Sequence, residues 1–143
     1  LGRVAKAAPG TEAAARRLLA LTEAGLTPVM SSVGIDDEGR LWNINADDVA
    51  LAVALLLKAP LIFLSDVRGV LNADKALIRE LTPHAAQKLI AEGIISGGMT
   101  VKVNAALAAA AATKAPVAVA SVFDETLTHC LLSGKLPGTV FAA

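Results

Sequence analysis

The feature that most constrains the fold is a pair of short, continuously apolar runs at 61–64 and 116–120, with a proline just before the first and at the start of the second. Runs of this length are typical of strands that are covered on both faces within a parallel sheet. Helical patterns at 46–57 and 99–112 alternate with them along the chain. The sequence therefore predicts an α/β domain with a mostly parallel open sheet, in which ligands bind beyond the carboxyl ends of the strands.

The other predicted elements come from caps, turns and shorter patterns. A helix capped by Thr11 ends near Gly25, and a hairpin pairs 29–35 with 40–45 across the acidic turn 36–39. The break at Gly97-Gly98 is the strongest in the chain. The remaining predictions are a loop or strand end at 1–6, a break at Pro9, a short segment at 78–81, a helix at 83–91, a short helix at 125–132 and a turn at 134–138.

Length and charge limit the kinds of partner that this chain can have. Its 143 residues are about one domain's worth and predict a single compact unit. Thirteen basic residues balance thirteen acidic ones, so we expect no strong electrostatic attraction to nucleic acid or to an anionic membrane. No uncharged stretch approaches the ~20 residues that a membrane helix needs. We therefore expect a soluble protein with neither nucleic-acid nor membrane partners.

Cysteine and histidine usage argues against several kinds of site. Cys130 has no second cysteine with which to form an internal disulfide, which fits a reducing cytoplasm. His84 and His129 share no ligand spacing with it, so neither a zinc site nor a Cys-His nucleophile is expected. We predict a cytoplasmic protein without a metal held by its own side chains. The sequence opens at Leu1 rather than at a methionine, and we expect it to be part of a longer protein.

Two asparagines and an aspartate lie close together at the end of the predicted hairpin. The strand period of two places Asn43 and Asn45 on one face of the strand, opposite Trp42. One amide can cap the following helix, which leaves the other to hydrogen-bond either a polar ligand or water. Asp47 falls in the first turn of that helix, where the helix dipole alone favours a carboxylate. By themselves these residues leave a binding role and a structural role open.

A lysine near the start of the predicted 99–112 helix points to an anion. Lys102 falls in the predicted first turn, where a cation opposes the helix dipole at a cost of ~0.3 to 1 kcal/mol. The preceding Gly97-Gly98 exposes backbone amides, so a bound phosphate would make Lys102 a ligand. The alternative is a solvated lysine that is tolerated at small cost.

Ser65 and Asp66 follow the first apolar run, where a parallel sheet binds ligands. A capped loop explains this polar pair almost as well as a polar ligand does. The sequence contains neither a Gly-x-x-x-x-Gly-Lys-Ser/Thr loop nor a Gly-x-Gly-x-x-Gly fingerprint. A nucleotide would therefore be held by another arrangement.

Five segments together carry a resemblance to a known family. They are 34–35 with the acidic turn that follows, then 43–47, 64–70, 92–99 and 102–106. In this order and spacing they resemble the carboxyl-terminal half of the N-acetyl-L-glutamate kinases, within the amino acid kinase family. The Asn-Ile-Asn-Ala-Asp and Gly-Gly-Met-x-x-Lys pieces are characteristic of these kinases. The resemblance covers nearly the whole chain.

This resemblance implies a fold, an activity and an assembly. The fold is the nucleotide lobe of a three-layer α/β sandwich around an open, largely parallel sheet, here residues 1–143. The activity is the transfer of a phosphoryl group from ATP, as its Mg complex, to the side-chain carboxylate of N-acetyl-L-glutamate in arginine biosynthesis. The full-length protein is expected to be a homodimer.

The resemblance also implies roles for individual residues. Lys102 would stabilise the transferring phosphoryl group, Asp47 would organise the catalytic lysines and Asn43 would bind the amino-acid substrate. Phosphoryl transfer depends on cations that neutralise charge spread over the phosphoryl oxygens, which gives Lys102 a physical reason. The implied nucleotide-binding residues are Ser65, Asp66, Val67, Arg68, Gly69, Val70, Leu71, Ile94, Ile95, Ser96 and Met99.

Part of the family's catalytic machinery has no counterpart in this sequence. In the family a Lys-x-Gly-Gly strand with a second catalytic lysine, a glycine-rich substrate loop and a substrate-carboxylate arginine lie in the amino-terminal half. The chain by itself is therefore expected to be an incomplete enzyme. One alternative is another family member, such as a glutamate 5-kinase, uridylate kinase or aspartokinase, against which the 43–47 segment argues. A second is a non-catalytic nucleotide-binding or scaffold domain with the same fold.

Overall fold

The computed structural model describes residues 3–8 and 10–142, and the chain divides into two compact units. The first ends at Ala59 and the second begins at Pro60. The sequence predicted one compact unit; the structure differs because the described strands form two separate sheets, one in each unit. The first residues of the predicted 1–6 segment and the predicted break at Pro9 lie outside the described residues.

The first unit has three described strands and two helices: β1 (Val4–Ala5), α1 (Glu12–Glu23), β2 (Val33–Ile35), β3 (Leu41–Ile44) and α2 (Ala46–Leu57). In the sheet order β1-β3-β2, β1 is parallel to β3 and β2 is antiparallel to it. Thr11 Oγ1 accepts a hydrogen bond from Ala14 N at 3.2 Å and so caps α1. Asn45 caps α2 in the same way. The predicted hairpin and both predicted helices are confirmed.

The second unit has four described strands and three helices: β4 (Leu61–Ser65), β5 (Glu80–Leu81), α3 (Pro83–Ala91), α4 (Gly98–Thr113), β6 (Val117–Ser121), α5 (Leu127–Leu132) and β7 (Thr139–Phe141). The strand order is β4-β6-β7-β5. β4 is parallel to β6 and β5 is parallel to β7, whereas β6 and β7 are antiparallel. The predicted α/β class is confirmed, and each of the two sheets is mixed.

The core of the second unit lies around its central strand, β6. All five residues of β6 are buried, and α4 packs against this strand. The face of α4 that includes Val103 and Ala106 is completely buried, and Phe141 of β7 is also fully buried. The alanine-rich pattern of the sequence therefore corresponds to a helix whose apolar surface is removed from water, which is the main stabilising contribution to such a core.

The two apolar runs differ in their surroundings. β6 is a central strand, but β4 is an edge strand of its sheet and Leu64 is 47% exposed. The prediction that both runs are covered on both faces is therefore right for β6 and wrong for β4. Hydropathy indicates only that a strand is apolar enough to be buried. Whether both of its faces are buried depends on which other segments pack against it. Among the described helices, none is both long and apolar enough to cross a membrane.

Candidate functional site

A cavity of about 280 Å³ lies in the second unit, beyond the carboxyl end of β4. It brings together the loop after β4, the segment before α4 and the first turn of α4. Its apolar walls and one guanidinium suit a flat apolar group attached to an anion. All of its lining residues are among the residues predicted to bind a nucleotide: Val67, Arg68, Gly69, Val70, Leu71, Ile94, Ile95 and Met99.

Three other predicted nucleotide-binding residues, Ser65, Asp66 and Ser96, do not line this cavity. Ser65 is the last residue of β4, and its Oγ accepts a hydrogen bond from Val67 N at 3.3 Å. It therefore performs the capped-loop role that the sequence left open. Asp66 and Ser96 are exposed next to the lining segments.

The loop 67–71 is hydrogen-bonded to Thr139, a residue that the sequence analysis missed. Thr139 Oγ1 accepts a hydrogen bond from Val70 N at 2.8 Å and donates one to Ile78 O at 2.6 Å. In this region the sequence predicts only a turn at 134–138, and nothing local connects Thr139 with a loop 69 residues earlier. The contact arises because the antiparallel pairing of β7 with β6 places Thr139, the first residue of β7, opposite Val119 and within hydrogen-bonding distance of the loop.

Lys102 lies close to the start of α4, but not where the sequence placed it. The helix begins at Gly98, one residue earlier than predicted, so that Lys102 is its fifth residue and begins the second turn. Since the effect of the helix dipole falls off within the first turn, the predicted dipole penalty on Lys102 is too large. Its side chain is half-buried. No side chain caps the amides at the start of α4.

Two arginines influence an acidic residue that follows β6. Hydrogen bonds from the Thr126 hydroxyl and backbone to Asp124, assisted by the charges of Arg68 and Arg79, hold the pKa of Asp124 below its ordinary value of 3.8. Arg68 interacts electrostatically with the Asp124 carboxylate and also lines the cavity. This carboxylate offsets part of the positive charge that Arg68 would present to an anion.

In the first unit the structure decides which asparagine caps the helix. Asn45 Oδ1 accepts hydrogen bonds from Asp47 N at 2.8 Å and Asp48 N at 3.4 Å. Asn43 lies in the middle of β3, paired with Val4 on one side and Val33 on the other, and its side chain is on the exposed face. Asn43 is thus the amide that remains available to a ligand. Asp47 is exposed in the first turn of α2.

The hairpin that carries Asn43 is fastened by Asp36. The Asp36 carboxylate accepts hydrogen bonds from Arg40 N and Trp42 Nε1, both at 2.8 Å, and from Glu38 N at 3.1 Å. It also forms an ion pair with Arg40 Nε at 2.7 Å. Desolvation acts to raise the pKa of Asp36, but these hydrogen bonds outweigh it and hold the pKa below 3.8. The predicted acidic turn is therefore a rigid connection.

The first unit also contains two larger cavities, of about 440 and 300 Å³. They lie along α2 and are lined mainly by alanine and leucine side chains, with Glu12 beside the larger and Lys6 and Asp48 beside the smaller. None of the residues predicted to bind a nucleotide lines either cavity. Neither is lined by an arginine, and each has a carboxylate in its lining, unlike the cavity of the second unit.

Comparison with known proteins identifies what the chain is similar to. A family model described as "Amino acid kinase family" matches residues 3–121. Two similar proteins are the acetylglutamate kinases of Yersinia pestis (strain Pestoides F) and Yersinia pseudotuberculosis serotype I (strain IP32953). Each is 48% identical over 139 residues, which are 97% of this chain and 53% of the relative. The chain spans about half the length of these curated relatives.

Three solved structures share the fold. The smu.665 protein from Streptococcus mutans UA159 is 30% identical, with a TM-score of 0.69 over 99% of this chain and 52% of that protein. N-acetylglutamate synthase from Neisseria gonorrhoeae, complexed with coenzyme A and L-arginine, is 25% identical, with a TM-score of 0.72 over 89% of this chain and 30% of that one. Giardia carbamate kinase is 20% identical, with a TM-score of 0.60 over 91% and 47% of the two chains.

Proposed function

The chain belongs to the amino acid kinase family, and from this premise we propose that it is the ATP-binding half of an acetylglutamate kinase. The family resemblance carried by the sequence motifs is thereby confirmed. The identity to proteins named acetylglutamate kinase, over nearly all of this chain, supports the choice within the family. The fact that the chain matches about half of each relative supports its assignment, residues 1–143, as the nucleotide lobe of a longer protein.

The observation that carries the proposal is the composition of the cavity in the second unit. Eight of the eleven residues predicted to bind a nucleotide line one space, although they come from two segments more than twenty residues apart. The aliphatic side chains and Met99 provide apolar walls for an adenine ring. Arg68, together with the uncapped amides at the start of α4, provides positive charge for phosphates.

The chemistry proposed is transfer of the γ-phosphoryl group of ATP to the side-chain carboxylate of N-acetyl-L-glutamate. A carboxylate oxygen forms the new bond to phosphorus, the bond to the bridging oxygen of ADP breaks, and the product is an acyl phosphate. Lys102 is the cation that neutralises charge on the phosphoryl oxygens as they move between donor and acceptor. Mg²⁺ enters as part of the ATP substrate complex, which it shields by binding the phosphate oxygens.

Two residues of the first unit receive roles from the family resemblance. Asn43 hydrogen-bonds N-acetyl-L-glutamate, because its amide is exposed and carries both donors and acceptors. Asp47 is assigned the role of organising the catalytic lysines. Its exposure and its place on a capped helix start are compatible with that role.

The setting of the reaction is part of the same proposal. The name of the relatives, acetylglutamate kinase, supports a role in arginine biosynthesis, and we propose that the protein acts in the cytoplasm. The full-length protein is proposed to act as a homodimer, with ATP and N-acetyl-L-glutamate as its small-molecule partners and with no nucleic-acid or membrane partner.

An assay for the acyl phosphate tests the proposal. The full-length protein is incubated with Mg-ATP, N-acetyl-L-glutamate and hydroxylamine, which converts an acyl phosphate to a hydroxamate that can be measured by its coloured iron complex. We expect hydroxamate in proportion to ADP, and none when ATP is omitted. Replacing N-acetyl-L-glutamate by glutamate, aspartate or carbamate examines the sibling activities of the family. Hydroxamate formation from one of these, and not from N-acetyl-L-glutamate, would contradict the substrate assignment.

A non-catalytic binding domain is the second candidate. The similarity to an N-acetylglutamate synthase structure favours it, since that protein, named for a different activity, carries the same fold. ATP binding by the full-length protein without ADP release, in the presence of any of the carboxylates above, would support the binding domain over the kinase.

A further inference from the structure

Thr139 forms hydrogen bonds at the base of the loop that lines the cavity. Its side chain is completely buried at the start of β7. Its hydroxyl acts as both acceptor and donor: it accepts a hydrogen bond from Val70 N at 2.8 Å and donates one to Ile78 O at 2.6 Å. A buried hydroxyl with two short hydrogen bonds has a fixed position, and it fixes its partners.

The Thr139 hydroxyl stands in for a hydrogen bond of the main chain. Ile78 N donates to Val70 O at 2.8 Å, as in a pair of antiparallel strands. The reciprocal bond, from Val70 N to Ile78 O, is replaced by the two bonds of Thr139 Oγ1. The side chain is thus inserted at the base of the loop and sets the separation of its two ends.

Gly69 shows how closely the loop lies on this threonine. A Cβ atom at Gly69 would be 2.6 Å from Thr139 Oγ1 and 3.0 Å from Thr139 N, distances at which something must move. The φ of Gly69 is +134°, which disfavours any other residue. A Cβ atom at Gly69 would also lie 2.8 Å from Leu77 Cδ1, so the loop lies closely against both Thr139 and Leu77.

We propose that Thr139 is a positioning residue for nucleotide binding, which it serves by holding the 67–71 segment, here called the nucleotide loop, in its binding conformation. The inference rests on the proposed function, since it assumes that the cavity takes the adenine nucleotide. Thr139 itself does not line the cavity. It acts because a loop that is already ordered loses less conformational freedom when the ligand binds.

Two variants of Thr139 and one matched control test the inference in the full-length protein. Thr139→Val keeps the shape and removes the hydroxyl, whereas Thr139→Ser keeps the hydroxyl. Thr113→Val removes another buried threonine hydroxyl, which bonds Ala109 O at 2.9 Å within α4 and does not contact the nucleotide loop. The measurements are the KM for ATP, the KM for N-acetyl-L-glutamate, kcat and the Kd for a fluorescent ATP analogue.

The expected result is a selective loss of nucleotide affinity. Thr139→Val should raise the KM and Kd for the nucleotide about tenfold, because Val70 N loses its buried partner, and should change the KM for N-acetyl-L-glutamate little. Thr139→Ser should remain within about twofold of the parent protein, and Thr113→Val should lower the melting temperature without changing nucleotide affinity. An unchanged KM for ATP in a folded Thr139→Val variant would overturn the inference, as would an equal loss in Thr113→Val.

Amide exchange in the unmodified protein keeps the inference testable if Thr139→Val does not fold. Without nucleotide, the Val70 amide should exchange slowly with deuterium, whereas the Leu71 side of the loop should exchange faster. Rapid exchange at Val70 would contradict a positioning role. If the protein neither binds nor turns over ATP while Val70 stays protected, the proposed function fails and the loop geometry stands, so the two failures can be told apart.

Discussion

Ser65 and Ser121 lie opposite each other as the last residues of two adjacent parallel strands, β4 and β6. Each hydroxyl accepts a hydrogen bond from the amide two residues further along, at 3.3 Å from Val67 N and 3.1 Å from Phe123 N. Both strands therefore end in the same tight polar turn, and Val122 N donates to Ser65 O across them at 2.9 Å. The nucleotide loop, whose residues line the cavity, begins within the turn that Ser65 caps.

The role of Lys102 predicts a loss of rate rather than of affinity. In the full-length protein, Lys102→Ala should lower kcat by ~10² to 10³, since a group that stabilises the transition state more than the bound substrate affects mainly the rate. The KM for ATP should change far less. Steady-state kinetics with both substrates varied measures the two effects separately.

Lys88→Ala provides the control for this prediction. Lys88 is an exposed lysine on α3 that pairs with Glu92 at 3.8 Å, and it lies outside the cavity lining. Its replacement should leave kcat unchanged. A Lys102→Ala protein that retains most of its turnover would remove Lys102 from the catalytic assignment. The melting temperature of this variant should stay close to that of the parent, since Lys102 lies beyond the first turn of α4.

Asn43 and Asn45 should respond to alanine in opposite ways. Asn45→Ala removes the N-cap of α2 and should cost ~1 kcal/mol of stability. Asn43→Ala changes an exposed side chain, so the melting temperature should hardly change, while the KM for N-acetyl-L-glutamate should rise. Thermal melts and steady-state kinetics of the two variants form a crossed comparison. If Asn43→Ala leaves that KM unchanged, the amide is merely solvated.

The pKa of Asp36 predicts a stability difference that disappears in acid. Because the pKa is lower in the folded protein than the ordinary 3.8, Asp36 stabilises the fold at pH values above 3.8, where it is ionised in both states. As the pH falls from 3.8 through the lowered pKa, the unfolded chain takes up the proton first and this stabilisation is lost. Asp36→Asn should therefore be less stable than the parent at neutral pH and converge with it in acid.

Trp42 is a suitable probe of this effect, because it is the sole tryptophan and its indole donates to Asp36. Urea unfolding followed by its fluorescence at several pH values gives the difference in stability. Asp37→Asn, at the exposed neighbouring position of the same turn, is the matched control and should show no such convergence. A stability gap for Asp36→Asn that stays constant down to the lowest pH would contradict the assignment.

The 143-residue chain alone should bind ATP weakly and phosphorylate nothing. The cavity of the second unit lies wholly within it, while the second catalytic lysine and most acceptor contacts belong, by family resemblance, to the other half of the relatives. Calorimetric titration with Mg-ATP measures the binding. Ile94→Trp, which places an indole in a cavity of about 280 Å³, should abolish it. Formation of acetylglutamyl phosphate by the chain alone would show that the other half is dispensable.

The sequence predicted local structure well where caps and turns define it. Asn45 and Thr82 cap helices that begin at the expected residues, since a side chain that bonds a nearby amide needs no distant information. The eight residues that line the cavity were all foreseen, but through family resemblance rather than through spacing. Periodicity alone could not show that the segment 94–95 lies beside the loop after β4.

What the sequence did not reveal depends on contacts between distant segments. Three residues are too few for a strand pattern, so β7 was missed, and with it the position of Thr139 below the nucleotide loop. The edge position of β4 was also missed, because the hydropathy of 61–64 does not distinguish an edge strand from a central one. Likewise, nothing in the sequence indicated that the strands form two separate sheets.

Gly138 gives a prediction about how β7 is brought to β6. A Cβ atom there would lie 2.0 Å from Val119 O and 2.8 Å from Ala120 Cα, so it cannot be accommodated unless the strands move apart. Gly134, in the same turn region, has a similar φ of +71°, compared with +68° at Gly138, but nothing lies within 4 Å of its Cβ position. Comparing alanine substitutions at the two glycines therefore separates the cost of a left-handed backbone from the cost of steric overlap.

Gly134→Ala should therefore cost only the ~1 to 2 kcal/mol of a left-handed backbone conformation. Gly138→Ala should cost a further ~3 kcal/mol or more, because the added atom overlaps backbone that a rotamer change cannot move. It should also lower nucleotide affinity, since Thr139 moves with the displaced strand and releases Val70 N. Urea unfolding followed by circular dichroism gives the two stabilities, and nucleotide titration of the folded fraction gives the affinities. Equal losses of stability in the two variants would show that β7 can shift without cost, and would remove the steric basis for the position of Thr139.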